Sequence, residues 1–123
     1  MAHWSSDVLR KIEGHAELYV SPFRAEGSTY GTPTQTWVVV VDGNVYVRVA
    51  RGIESTWYQA AIAQGAGRIR VSGTFYSVTF EQAVGAPADG LDPAYDAKYA
   101  GSPALLVLKS DTAKAATVLI APR

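Results

Sequence analysis

A β-hairpin is indicated most clearly by residues 32–48, which read TPTQTWVVVVDGNVYVR. The run before the turn is apolar on both strand faces, as is typical of a central strand. The Asp-Gly pair at 42–43 is the kind of turn that joins two antiparallel strands. Beyond it, three valines share one face, and Tyr46 and Arg48 share the other. We therefore expect the valines in the core and Tyr46 and Arg48 on the opposite, outer surface.

The rest of the chain adds short strands and few helices. Further strands are predicted over residues 17–23, 68–72, 76–83, 104–108 and 116–121. Helices are predicted from the Ser5 cap to Gly14, over residues 55–64, and from Asp92, as a cap followed by Pro93, to Gly101. Residues 85–90 are predicted as a loop. Six or seven short strands covered by about three helices favour a small closed or split barrel over a doubly wound sheet.

Composition limits the classes of function. The 123 residues are predicted to form one domain spanning 1–123, and the net charge is zero. Zero net charge argues against non-specific binding to nucleic acid or to an anionic membrane. The absence of cysteine excludes disulfides and thiolate chemistry. The apolar runs are too short to span a bilayer, and the N-terminus shows no signal-peptide pattern. The sequence therefore predicts a cytoplasmic protein.

A group of cations and hydroxyls follows the hairpin. Arg48 ends its second strand, Arg51 and Gly52 lie in the next loop, and Ser55 and Thr56 begin a helix. Guanidinium groups and the free N–H groups of a helix N-terminus together suit a phosphate. The alternative is that Arg48 pairs with a carboxylate and Ser55 only caps its helix.

Aromatic residues are numerous for so short a chain. Trp37, Trp57 and Tyr46 suit either the core or a slot for a planar ligand. Tyr95 and Tyr99 lie one helical turn apart with Lys98 beside them, and they suit either helix packing, contact with a substrate, or acid–base chemistry.

Catalytic signatures are missing from the sequence. His3 and His15 have no metal-ligand partner at a useful spacing, so no metal site is predicted. There is neither a nucleophile elbow nor a P-loop. Catalytic residues therefore stay unassigned, and whether the chain is an enzyme is left open.

The middle of the chain resembles the split-barrel flavin- and deazaflavin-dependent nitroreductase proteins. The resemblance is carried by Thr32-Pro33, the strand up to Val41, the Asp-Gly turn, and Gly52 followed by residues 55–58 and 68–71. The whole chain, with Trp4 and residues 94–99, also resembles the short domain-of-unknown-function family 2255. The resemblance implies a mainly-β (α+β) fold, a six-stranded Greek-key split barrel with two or three short helices, and a homodimer.

The resemblance also implies a ligand. In those families the strand matching residues 36–38 passes along a flavin mononucleotide or deazaflavin ring, and the segment matching 48–57 holds its phosphate. The implied cofactor-binding residues are Thr36, Trp37, Tyr46, Arg48, Arg51, Gly52, Ser55, Thr56 and Trp57. Tyr95, Lys98 and Tyr99 are the expected substrate contacts, for an oxidoreductase acting on a small organic molecule.

Two segments depart from the family pattern. Residues 26–31 replace a stretch rich in lysine and glycine, and residues 64–67 replace an Asn-Pro. The alternative hypothesis is therefore a cofactor-free binding protein, or a cofactor-free enzyme, that uses the same groove.

Overall fold

The secondary structure is taken from a computed structural model, which describes residues 4–15, 17–83 and 91–123. His3 and the loop predicted over 85–90 lie outside the described residues. The strands are β1 (Glu17–Pro22), β2 (Thr34–Val41), β3 (Asn44–Arg48), β4 (Ala66–Val71), β5 (Thr74–Gln82) and β6 (Thr117–Pro122). The helices are α1 (Ser6–Glu13), α2 (Thr56–Gln64), α3 (Asp92–Lys98), α4 (Ala104–Leu108) and α5 (Asp111–Ala115), with a 3₁₀ turn at Gly52–Glu54.

The six strands form a closed antiparallel barrel. Their order around it is β1-β2-β3-β6-β5-β4, and β1 pairs with β4 to complete the circle. This confirms the mainly-β, six-stranded barrel. The described residues contain five α-helices, where two or three were expected.

The predicted hairpin is β2 and β3. Asp42 and Gly43 both have positive φ, 53° and 79°, which matches the twist of a two-residue hairpin turn. The turn fixes the register, so that Val41 pairs with Asn44 and Trp37 with Arg48. The cavity described below lies at that far end of the hairpin.

Two predicted elements differ in the structure. Residues 104–108, predicted as a strand, form helix α4, because a run of five apolar residues has no periodicity that separates a strand from a buried helix. Asp92, predicted as a cap, is the first helical residue of α3, and Leu91 occupies the cap position. The Asp92 side chain is directed to Arg48 instead.

Apolar side chains form two clusters, one on each side of the sheet. The barrel interior holds the alternate residues of every strand, including the predicted Val45, Val47 and Val49. The second cluster lies outside the barrel, where Tyr46 packs against Leu91, Tyr95 and other side chains of the 91–108 segment. The outer face of the hairpin is therefore covered, although the sequence predicted it to be free.

Helix α1 packs against β2. Ile12 at its inner face is fully buried, and the Trp4 indole donates to the Ile120 carbonyl at 2.9 Å. None of the described helices is long and apolar enough to cross a bilayer.

Candidate functional site

A cavity of about 360 Å³ opens at the end of the β2–β3 hairpin, where helix α2 begins. Its wall is formed by residues 34–37 of β2, residues 48–51 after the hairpin, and residues 55–57. Three chain segments that are separate in sequence therefore meet at one hollow.

Seven of the nine residues expected to bind a cofactor lie on this wall. They are Thr36, Trp37, Arg48, Arg51, Ser55, Thr56 and Trp57. Tyr46 and Gly52 are not on it. Thr34, Gln35, Val49 and Ala50 also line the cavity but were not among the predicted site residues, although each lies within two residues of one that was.

Gly52 supports the site from behind. Its φ is +74°, and a Cβ there would lie 2.6 Å from the Thr112 methyl carbon of α5. Glycine is required because the loop turns sharply against that helix. Gly52 thus allows the loop to pack against α5, and its contact with a ligand stays a prediction.

Tyr46 and Arg48 point out of the barrel, as the alternation predicted, but neither is at the surface. Tyr46 is buried in the outer cluster, and the Arg48 side chain is fully buried. The expectation that both stand on an exposed face is wrong, because segment 91–115 folds back over this side of the hairpin.

The Arg48 guanidinium forms an ion pair with Asp92. Its Nη1 donates to Asp92 Oδ1 at 2.5 Å and to the Leu108 carbonyl at 3.2 Å. Lys114 approaches the other Asp92 oxygen at 3.3 Å. Burial opposes ionisation of Asp92, but the hydrogen bonds and charges of Arg48 and Lys114 outweigh it and lower the pKa of that carboxyl. Arg48 therefore pairs with a carboxylate, which the sequence offered as the alternative to a phosphate contact.

Arg51 is the exposed cation on the cavity wall. Among the described residues it has no ion-pair partner. Its guanidinium is therefore available to an anion from solution.

Helix α2 begins at the cavity without a side-chain cap. Ser55 has the extended backbone of an N-cap residue, but its side chain accepts no capping hydrogen bond. Ser5 and Ser110 occupy the same position before α1 and α5, and each hydroxyl accepts from the backbone N–H three residues later. The first N–H groups of α2 and the Ser55 hydroxyl are therefore left for another acceptor or donor.

Two tryptophans contribute flat walls, and Thr36 contributes little polarity. The Trp37 ring is held edge-on by Tyr99, with ring centres 5.4 Å apart. Thr36 donates its hydroxyl to the Leu18 carbonyl at 2.7 Å, so that hydroxyl supports the sheet. A second hollow of about 260 Å³ shares Thr34, Thr56 and Trp57 with the cavity, so the two adjoin.

Tyr95 and Tyr99 lie behind the cavity wall and not on it. The Tyr95 hydroxyl accepts from the Arg48 amide at 2.8 Å and donates to the Trp37 carbonyl at 2.7 Å. The Tyr99 hydroxyl donates to the Val38 carbonyl at 2.7 Å. Burial raises the pKa of both hydroxyls, which opposes a role as acid or base near neutral pH. Their placement is that of groups that join α3 to β2, with no access to a substrate in the cavity.

Lys98 lies at a different hollow, bounded by α1, β2 and α3. Tyr95 and Tyr99 therefore contact residues of the expected cofactor-binding set, but none of the three residues expected to contact a substrate lines the cavity. No cluster of three metal-binding side chains occurs within 4–15, 17–83 and 91–123.

Solved structures share the fold. ChuZ from Campylobacter jejuni matches with a TM-score of 0.67 at 8% identity, over 94% of this chain and 50% of its own. The chain therefore spans about half the length of ChuZ. The conserved hypothetical protein Rv2991 from Mycobacterium tuberculosis matches with a TM-score of 0.59 at 15% identity, over 99% of this chain and 83% of its own. At these identities the likeness establishes the fold alone.

A comparison with curated proteins found no match. A family match, by contrast, covers residues 8–120, nearly the whole chain. It agrees with the family resemblance carried by Trp4 and residues 94–99. The chain belongs to the family described as "Uncharacterized protein conserved in bacteria (DUF2255)".

Proposed function

We propose that the cavity at the start of α2 binds the phosphate-bearing part of a flavin or deazaflavin, and that the chain is an oxidoreductase acting on a small organic molecule. The observation that carries the proposal is the meeting of Arg51 with an uncapped helix start in one hollow. Free N–H groups and the positive end of the helix dipole favour an anion there.

The donor set fits a phosphate. Arg51 supplies a planar fork of donors, and the hydroxyls of Ser55 and Thr56 lie on the same wall. Ser55 is suited to this role because its hydroxyl is not used on its own helix. A bound phosphate would take the place of the missing cap.

The shape of the site suits a planar group beside the phosphate. Trp37 and Trp57 are partly exposed on the wall, and indole faces stack on flat ring systems. The volume of about 360 Å³ is within the usual range for small-molecule sites. The adjoining hollow of about 260 Å³ extends the room beyond Trp57.

The protein's part in a reaction is binding and orientation. The only ionisable side chains on the described wall are Arg48 and Arg51, and arginine does not release its proton in proteins. When bound, a flavin or deazaflavin would supply hydride transfer, which the wall residues cannot perform.

A second candidate is a cofactor-free protein that binds a small anionic or aromatic molecule in the same cavity. Its support is the Arg48–Asp92 ion pair, which removes one of the two cations expected at the phosphate. Because Arg51 is then the one remaining cation on the described wall, a ligand with a single negative charge is enough to balance it.

Titration of the purified chain with flavin mononucleotide, and separately with a deazaflavin, tests the proposal. We expect one of them to bind at tens of micromolar or tighter. Arg51→Gln should weaken binding about tenfold, because it removes a charge-assisted hydrogen bond. Arg10→Gln is the matched control, since Arg10 is exposed on α1 and pairs with Asp7.

Absence of binding by both compounds in that range would rule out the cofactor proposal. A melting shift with another small anion, lost in Arg51→Gln, would then favour the second candidate.

The homodimer implied by the split-barrel resemblance is also a proposal. Leu106 of α4 is 85% exposed and its neighbour Val107 is 47% exposed, so this helix presents an apolar surface. Sedimentation of the wild-type chain should give a dimer, and Leu106→Glu should give a monomer. A monomeric wild type at all concentrations would exclude the dimer.

A further inference from the structure

Another cavity, of about 340 Å³ and separate from the two hollows beside α2, lies between the end of α1, the middle of β2 and α3. It is lined by Glu13, Val39, Val40, Ala94, Ala97 and Lys98. It shares no lining residue with the cavity at α2, so it is independent of the function proposed above. Four of its six residues are apolar, and Lys98 brings an amine to them.

The amine is fixed in position. Lys98 Nζ donates to the Ile12 carbonyl at the end of α1, at 3.1 Å, and lies 5.5 Å from the centre of the Tyr99 ring. A carbonyl can accept a hydrogen bond from a neutral amine, although an ammonium is the stronger donor. The neutral amine can therefore keep this hydrogen bond while its lone pair stays free.

Partial burial increases the fraction of Lys98 that is neutral. Lys98 is half-buried, and burial lowers its pKa to about 8, while the Glu13 carboxylate acts in the opposite direction. Glu13 on α1 is the charged group on the described cavity wall, and Val39, Val40, Ala94 and Ala97 carry no charge. An amine with a pKa near 8 is neutral at pH 7.5 far more often than an ordinary lysine, whose pKa is about 10.4.

We propose that Lys98 is a nucleophilic amine that forms an imine with a small uncharged aldehyde or ketone held in this cavity. The nitrogen lone pair attacks the carbonyl carbon, and the π electrons move to oxygen. A proton passes from nitrogen to oxygen to give a carbinolamine. The C–O bond then breaks as the hydroxyl leaves with a proton as water, and a C=N bond remains.

The cavity selects the class of carbonyl compound. Its valine and alanine side chains suit a short apolar substituent. Glu13 repels an anionic compound, and it attracts the protonated imine, which carries the positive charge. An uncharged aldehyde or ketone is therefore preferred over a carbonyl acid.

Reductive labelling of the intact chain tests this inference. The chain is treated with isobutyraldehyde and cyanoborohydride at pH 7.5, and the modified lysines are located by peptide mass mapping. Lys109 is the internal control, because its hydrogen bond to Asp96 raises its pKa. Lys98 should react at least about tenfold faster than Lys109, and its pH profile should rise near pH 8.

Two comparisons separate a binding cavity from a merely exposed amine. Ala97→Leu should slow labelling of Lys98 several-fold by narrowing the cavity, while labelling of Lys109 and the melting temperature stay unchanged. Glyoxylate, an anionic aldehyde, should give a smaller ratio of Lys98 to Lys109 labelling than isobutyraldehyde does. Equal labelling of the two lysines in the wild type, or no effect of either comparison, would overturn the inference.

Discussion

At the scale of single residues, the proposed site includes a serine whose hydroxyl does not cap its own helix. Ser5, Ser55 and Ser110 all precede helices with extended backbone angles, but only Ser5 and Ser110 accept a capping hydrogen bond. The difference is local to the cavity at α2. We attribute it to a binding role for Ser55.

Alanine substitution distinguishes the two uses of serine. Ser110→Ala should lower the free energy of unfolding by about 1 kcal/mol, because a helix cap is lost. Ser55→Ala should change it by less than about 0.5 kcal/mol. Urea unfolding of both variants measures the difference, and an equal loss would mean that Ser55 caps α2 in solution.

We predict that Asp92 stabilises the buried guanidinium of Arg48. Asp92→Asn removes a negative charge that pairs with the buried Arg48 guanidinium and should cost about 3 kcal/mol at pH 7. Asp7→Asn, in an exposed pair with Arg10, should cost less than about 1 kcal/mol.

The loss should also depend on pH. The folded-state pKa of Asp92 is lower than its unfolded value of about 4, so its contribution is complete above that value and is lost as pH falls through the folded pKa. Urea unfolding at pH 7 and pH 3 should therefore show a smaller difference between wild type and Asp92→Asn at pH 3. A constant difference would contradict the ion pair.

The side of the sheet to which a side chain points was predictable, but the residues that surround that side chain were not. Strand alternation correctly placed Arg48 on the outer side of β3. Nothing local indicated that Asp92, 44 residues further along the chain, would reach it. Burial of an outward side chain depends on which distant segment covers the sheet, and alternation carries no information about that.

At the scale of elements, α3 holds the cavity wall in place. Trp37 and Arg48 are paired residues at the open end of the hairpin, and the Tyr95 hydroxyl joins the carbonyl of one to the amide of the other. Helix α3 thus fixes the separation of β2 and β3 where the cavity begins.

Tyr95→Phe should remove this link. Two backbone groups lose a buried partner, so we expect a loss of about 2 kcal/mol in unfolding free energy, together with weaker ligand binding. Tyr30→Phe is the control, because Tyr30 is half-exposed and lines neither the cavity nor the adjoining hollow. Unchanged stability in Tyr95→Phe would show that the hydroxyl is dispensable to the wall.

Elements with a strong local signal were predictable. The Asp-Gly turn fixed the hairpin, and the Ser5 cap and Gly14 marked α1. Helix α4 was missed because its five residues are uniformly apolar, although Pro103 before it is a residue that helix starts tolerate well.

At the scale of the whole molecule, a layer of helices and loops covers part of the outer face of the barrel. The barrel core occupies the inside, and the 91–115 segment covers the outer face of the hairpin. The cavities of about 360 and 340 Å³ lie at the edges of this covered surface, the first beside α2 and the other beside α1 and α3. The barrel was predictable from strand spacing and resemblance. The positions of the two cavities were not predictable, because they depend on contacts between segments that are distant in sequence.

Amide NMR spectra of the ¹⁵N-labelled chain, recorded during titration with flavin mononucleotide or a deazaflavin, locate the ligand directly. The largest shifts should fall on residue 51 and residues 55–58, because the phosphate is expected to accept from the first N–H groups of α2. Residues of α1 should stay unshifted. Shifts that centre elsewhere, or none with either compound at about 50 µM, would contradict an anion site at the start of α2.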